Sequence, residues 1–202
     1  MCAIRHLPRI GNAIISTVPI DSKGRGMQSE RTYGPTAKFF HWLVVVLLAA
    51  QYTIGSIMPH IGRNTRDESW VHWHLLVGAV IGLTIVLRFL WRLKNPAPPP
   101  AANTPWERNL AGFTHWMLYA LVFALVILGW AAANARGWEV KLFGLVSLPA
   151  LCPKDSAWGH TAGDIHNILI YVLLGFIVLH LAGTLKHIFI DGQNTLRRML
   201  PG

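Results

Sequence analysis

The run His166-Asn-Ile-Leu-Ile-Tyr-Val-Leu-Leu-Gly-Phe-Ile-Val-Leu-His180 decides the fold. Thirteen uncharged residues separate its two histidines, and the apolar stretch continues outward from about Thr161 to Ile190. A helix that crosses about 30 Å of hydrocarbon needs about 20 mostly apolar residues. At 1.5 Å per residue this one is roughly 45 Å long, so one end projects into water. The spacing sets His166 and His180 about 21 Å apart along the axis and within about 40° of one face. One helix therefore offers two imidazoles to the same interior at two depths.

Three more spans precede it, from about Phe39 to Met58, Val71 to Trp91 and Leu110 to Ala133. The second and third are separated by Asn95-Pro-Ala-Pro-Pro-Pro-Ala-Ala-Asn-Thr-Pro105, a linker that proline keeps from being helical. With 52% hydrophobic and 13% charged residues and a mean hydropathy of +0.39, the 202-residue chain is too apolar for an ordinary soluble domain. The fold class expected is all-α, an integral membrane four-helix bundle. The formal charge of +9 does not call for nucleic acid, because the Lys and Arg sit at the ends of the apolar runs. With the N-terminus inside, 13 of the 18 fall on the cytoplasmic side and five in the outer loops: Arg63, Arg66, Arg136, Lys141 and Lys154. Lys and Arg are retained in cytoplasmic loops, so both termini are expected in the cytoplasm.

Residues 1–32 are read as a disordered cytoplasmic tail and residues 33–202 as the membrane domain. The apolar run from Ala13 to Ile20 is short and interrupted by Pro19, a poor signal peptide, and Met27 offers an alternative start. Cys2 and Cys152 are too few for a disulfide framework or an iron–sulfur cluster and fall on opposite sides of the membrane. Cys152 is then either a free thiol or an intermolecular partner.

Ionisable groups inside a membrane are costly and usually face the bundle interior. His41, His74, His115, His166 and His180 all fall within spans, with His187 on the last turns of the fourth. By depth, His74 matches His166 near the outer boundary, and His41 can meet His180 near the inner one. Two imidazole pairs at two depths suit two b haems held between facing helices. A zinc or di-iron site would gather its ligands close together and recruit carboxylates, whereas Asp164 is the only carboxylate near a membrane histidine. Gly78 and Gly82, four and eight residues after His74, form either a groove for a flat macrocycle or a close helix contact, and Gly175 and Gly183 invite the same two readings.

Phe40-His41-Trp42-Leu43, His74-x-x-x-Gly78 leading to Arg88-Phe-Leu-Trp-Arg92-Leu-Lys-Asn-Pro96, His115-x-x-Leu-Tyr119 with Gly129-Trp130, and His166 and His180 with Leu185-Lys-His187 and Leu196-Arg-Arg-Met-Leu-Pro201 together resemble the prokaryotic cytochrome b561 family. The resemblance covers about residues 33 to 201. It implies a multi-pass protein of the bacterial inner membrane with two bis-histidine haem b groups, moving electrons between a periplasmic donor and the quinone pool. It implies His74 and His166 as iron ligands of the outer haem and His41 and His180 as those of the inner one. His115 lies close to the inner haem; His187 either replaces His180 as ligand or makes a polar contact to a propionate or headgroup. Arg88, Arg92 and Lys186 either meet propionates or a quinone carbonyl, or serve as basic anchors.

With both axial positions filled, no iron site stays open, which leaves outer-sphere electron transfer. Two functions remain open. One is an oxidoreductase of the superoxide oxidase type, passing electrons from superoxide or another small periplasmic donor to quinone. The other is a relay or anchor subunit taking electrons from a protein partner such as a hydrogenase or dehydrogenase. A basic outer surface of Arg63, Arg66, Arg136 and Lys141 either steers a small anion or is an ordinary solvated loop face.

Overall fold

A computed structural model describes residues 32–59, 61, 69–96, 98, 104–193 and 195–200. The N-terminal tail up to residue 31 and His60, Arg63 and Arg66 lie outside the described residues. Four helices dominate: α1 (Pro35–Ile57), α2 (Ser69–Lys94), α3 (Pro105–Ala135) and α4 (Ala157–Phe189). Each is long and apolar enough to cross a membrane, with mean hydropathies of 1.6, 2.0, 2.1 and 2.4 over their most apolar windows. Large apolar side chains such as Phe39, Val46, Ile168, Tyr171 and Val178 stay exposed along the helices, as lipid contact requires. We call the end where α1 begins and α4 finishes the terminal end and the opposite end the loop end.

The helix boundaries have local causes. Pro105, expected in the non-helical linker, opens α3 instead: proline costs nothing at a first helical position, where its missing N–H has no partner to lose. Thr104 caps that helix, its hydroxyl accepting from the Glu107 N–H at 3.4 Å while the Glu107 carboxylate accepts from the Thr104 N–H at 3.3 Å. Ser156 caps α4 by accepting from the Gly159 N–H. Between α3 and α4 a two-stranded hairpin, β1 (Lys141–Leu142) and β2 (Val146–Ser147), turns at the loop end.

In lipid the hydrophobic effect does not hold helices together, so close packing and interhelical hydrogen bonds must do so. At the loop end α3 and α4 approach through Ala131, Ala135, Gly159 and Ala162. A Cβ on Gly159 would lie 2.6 Å from that of Ala135 and 3.0 Å from the Ala131 carbonyl oxygen, so only glycine admits this contact. Cys152 lies in the same contact as a buried free thiol, donating to the Ala131 carbonyl at 3.3 Å. Midway along the bundle, Ile81, Ile85, Leu121, Val122, Leu125 and Leu173 form the main core. At the terminal end a short 3₁₀ turn (Leu196–Arg198) folds back on α1, where the Trp42 indole donates to the Met199 carbonyl at 2.8 Å.

Candidate functional site

The apolar core separates two clusters of histidines. At the loop end α2 and α4 bring His74 and His166 together, with ring centroids 6.3 Å apart. At the terminal end α1 and α4 bring His41 and His180 to 6.4 Å. An iron between two imidazoles, at the roughly 2.0 Å usual for metal–imidazole nitrogen bonds, puts the ring centroids about 6.3 Å apart. Both pairs fit that span. Among the described residues no three His, Cys, Asp or Glu side chains converge to hold a metal ion.

Each ring is positioned differently. The Nδ1 of His166 lies 2.9 Å from the Leu125 carbonyl oxygen, an acceptor, so Nδ1 carries the proton and Nε2 keeps its lone pair for a metal. Its ring also needs Gly129, because a Cβ there would come within 3.0 Å of the imidazole. His74 packs beside Gly55, and its main-chain carbonyl accepts from the Gln51 amide at 3.0 Å, fixing α1 against α2 at this level. Its own Nδ1 is buried with no hydrogen-bond partner among the described residues. His41 faces a cation: Arg88 Nη2 is 3.3 Å from its Nδ1, and Arg88 Nε donates to the Tyr119 hydroxyl at 2.8 Å.

His115 joins the terminal-end cluster. Its ring stands edge-on to His180 at 5.1 Å, too close for the two to flank one iron from opposite sides, and its Nδ1 is 2.6 Å from the Ala111 carbonyl oxygen. His187 is engaged elsewhere, its Nδ1 2.6 Å from Asp191 Oδ2. Lys186, read either as a partner of propionates or quinone or as a basic anchor, bridges Glu107 at 2.8 Å and Asp191 at 2.9 Å, tying the start of α3 to the end of α4.

Two sets of open alternatives gain neighbours. A Cβ on Gly82 would come within 2.9 Å of Val126 on α3, and one on Gly78 within 3.3 Å of Gln51 on α1, which is the close-contact reading of these two glycines. Gly175 and Gly183 meet nothing within 4 Å, which removes close packing as their reason. Of the basic outer surface, Arg136 stacks on Trp138 and donates to the Ala132 carbonyl, and Lys141 pairs with Glu139.

Residues 32–202 match the family model described as prokaryotic cytochrome b561. The chain belongs to this family. It is 32% identical to cytochrome b561 homolog 2 of Escherichia coli (strain K12) over 173 residues, 83% of this chain and 90% of that protein. To the probable superoxide oxidase CybB of Yersinia pestis it is 30% identical over 166 residues, 80% of this chain and 91% of that protein. Cytochrome b561 homolog 1 of E. coli is more distant, at 23% over 174 residues, 84% of this chain and 97% of that protein. Family and helices together make this chain a multi-pass bacterial membrane cytochrome of the b type that binds haem b and works in electron transfer.

Proposed function

We propose that this cytochrome holds two b haems, one between His74 and His166 and one between His41 and His180, and moves electrons from the loop end to quinone at the terminal end. The observation that carries the reading is the pair of histidine spacings, 6.3 and 6.4 Å, at opposite sides of the apolar core. When bound, haem b supplies reversible one-electron chemistry at its iron. The protein's own work is to aim the rings: Leu125 fixes the His166 tautomer, Gln51 and Gly55 seat His74, and Arg88 and His115 border His41 and His180. The 13 to 5 division of basic residues supports an inner-membrane orientation with both termini in the cytoplasm and the loop end in the periplasm.

For the donor we propose a small periplasmic species, superoxide above others, because one relative bears the name probable superoxide oxidase. Two superoxide ions would become two O₂, and the two electrons with two protons would convert one quinone to quinol. The test uses purified, haem-loaded protein with no partner. A pyridine haemochrome assay should return two haems per chain, superoxide should reduce them, and added quinone should reoxidise them. One haem per chain overturns the two-pair reading. Reduction only by a co-purified protein donor would replace the enzyme with a relay subunit.

A further inference from the structure

The hairpin of residues 141–147 carries a surface that electron transfer does not explain. Two of the three residues of its turn and the first residue of β2 are apolar and strongly exposed: Phe143 at 57%, Leu145 at 86% and Val146 at 59%. The turn is tight, with the Leu145 N–H donating to the Leu142 carbonyl at 3.1 Å and both central residues at positive φ, 53° for Phe143 and 71° for Gly144. Glycine takes that conformation freely; a phenylalanine pays strain for it. The backbone thus holds an aromatic ring at an exposed tip against its own preference.

The hairpin is firmly based. Leu142 packs with Val140, Ala79 and Leu75, and Leu148 N–H donates to the Val140 carbonyl at 2.9 Å. Asn134 clamps both flanks, its amide donating to the Trp138 carbonyl and its oxygen accepting from the Leu151 N–H. Its level is set by α2: Gly144, Lys141 and Glu139 share a cleft with His72, Leu75 and Leu76. Counting up α2 from Arg92, the basic residue near its terminal end, the roughly 20 residues that cross about 30 Å of hydrocarbon reach His72. On that count the cleft beside the turn stands level with the loop end of the α2 span. Trp70 and Trp73 on α2 and Trp158 on α4, all about half exposed, occupy the same end, where aromatic rings collect at membrane interfaces. The charged pair Glu139 and Lys141 marks the polar edge of the hairpin.

We propose that the turn at residues 143–146 is a membrane-interface anchor, its apolar side chains seated in the headgroup and upper acyl layer of the bilayer that the helices cross. The occupant is lipid because the hairpin packs beside α2 near the end of its span, where the exposed rings of Trp70 and Trp73 also stand. The proposal rests on the four spans alone and not on the haem assignment.

The test uses full-length, haem-loaded protein in phosphatidylcholine nanodiscs. In a Cys2→Ser background, with the buried Cys152 retained and an unlabelled-site control to confirm that it stays silent, Leu145→Cys and Glu139→Cys are each given a nitroxide. The accessibility of each label to O₂, which partitions into lipid, is compared with that to a water-soluble nickel chelate. The ratio should be several-fold higher at position 145 than at 139. Equal ratios, or a chelate-accessible label at 145, would overturn the proposal and leave the patch as a surface for a protein partner. Haem absorbance of each labelled protein confirms that the variant is folded.

Discussion

At the loop end the His166 ring hangs from a main-chain carbonyl, whereas at the terminal end the His41 ring faces the guanidinium of Arg88. The two pairs share nearly one spacing, yet the hydrogen bonds set them up differently. A carbonyl only accepts, so His166 holds its proton on Nδ1 and presents a free Nε2. Arginine only donates, so in this geometry His41 Nδ1 is the acceptor and the proton sits on Nε2. If His41 held a haem iron through Nε2, its Nδ1 would carry the proton and could no longer accept from Arg88. The loop-end site is preorganised on main chain, while the terminal-end site can exchange one hydrogen bond for another. Supporting contacts differ in the same sense: Ala131, Ala135, Gly159 and Ala162 close-packed at the loop end, and ion pairs of Glu107, Lys186 and Asp191 at the terminal end.

The comparison breaks most sharply if the two sites are not independent. His166→Ala or His74→Ala should remove one haem of two and leave the spectrum of the terminal-end haem in place; His41→Ala or His180→Ala should do the reverse. Haem counted per folded chain is the measurement. His187→Ala should retain both haems, because its ring is committed to Asp191.

Next in size is the close contact of α3 and α4. Gly159→Ala puts a methyl within 3 Å of the Ala135 Cβ and Cys152 Sγ, an overpacking that costs about 1–3 kcal/mol. Gly159 lies about two turns from His166 on α4, so thermal bleaching should strike the loop-end haem first. Equal loss of both haems would show that the bundle melts as one unit.

Arg88 probes the terminal end. A unit charge about 10 Å away at an effective dielectric near 20 is worth roughly 1.7 kcal/mol, or about 70 mV for one electron. Arg88→Leu should lower the midpoint potential of the terminal-end haem by that order, because the cation favours the reduced, less positive iron. The loop-end potential should stay fixed in the same redox titration. A shift of both potentials by equal amounts would mean that the two ends are not electrically separate.

Much of this arrangement was legible along the chain, because depth in a helix is a one-dimensional quantity. The spacing of His166 and His180, and the places of His74 and His41 in their spans, were enough to anticipate which rings face each other. What escaped needs a neighbour from another helix. Gln51 holding the His74 carbonyl, Arg88 bridging His41 and Tyr119, and Asn134 clamping the hairpin are contacts between elements that sequence spacing does not relate. Gly82 was ambiguous for that reason: the glycine is visible, but Val126, its close neighbour, sits on α3. Asp191 could have been found, since it lies four residues after His187 at the end of the helix, where side chains so spaced meet.

The smallest expected effect is the pH response of the terminal-end tie. The Lys186 ammonium, and after it His187, hold the Asp191 carboxyl below the usual carboxylate range. A carboxylate whose folded value is depressed contributes stability that is fully present above its unfolded value, about 3.9, and is lost as pH falls through the folded value. Asp191→Asn should therefore lower the Tm of the detergent-solubilised protein slightly between about pH 5 and 8. The gap to wild type should close as pH falls through the depressed folded value of Asp191, where the wild-type carboxyl is protonated as well. High salt should also narrow the gap at neutral pH, because Lys186 is partly exposed and its pairing is screened. A gap that persists unchanged in acid would assign the role of Asp191 to hydrogen-bond geometry at the end of α4 rather than to charge. The contrast between a packed loop end and an ion-paired terminal end would then have to be redrawn.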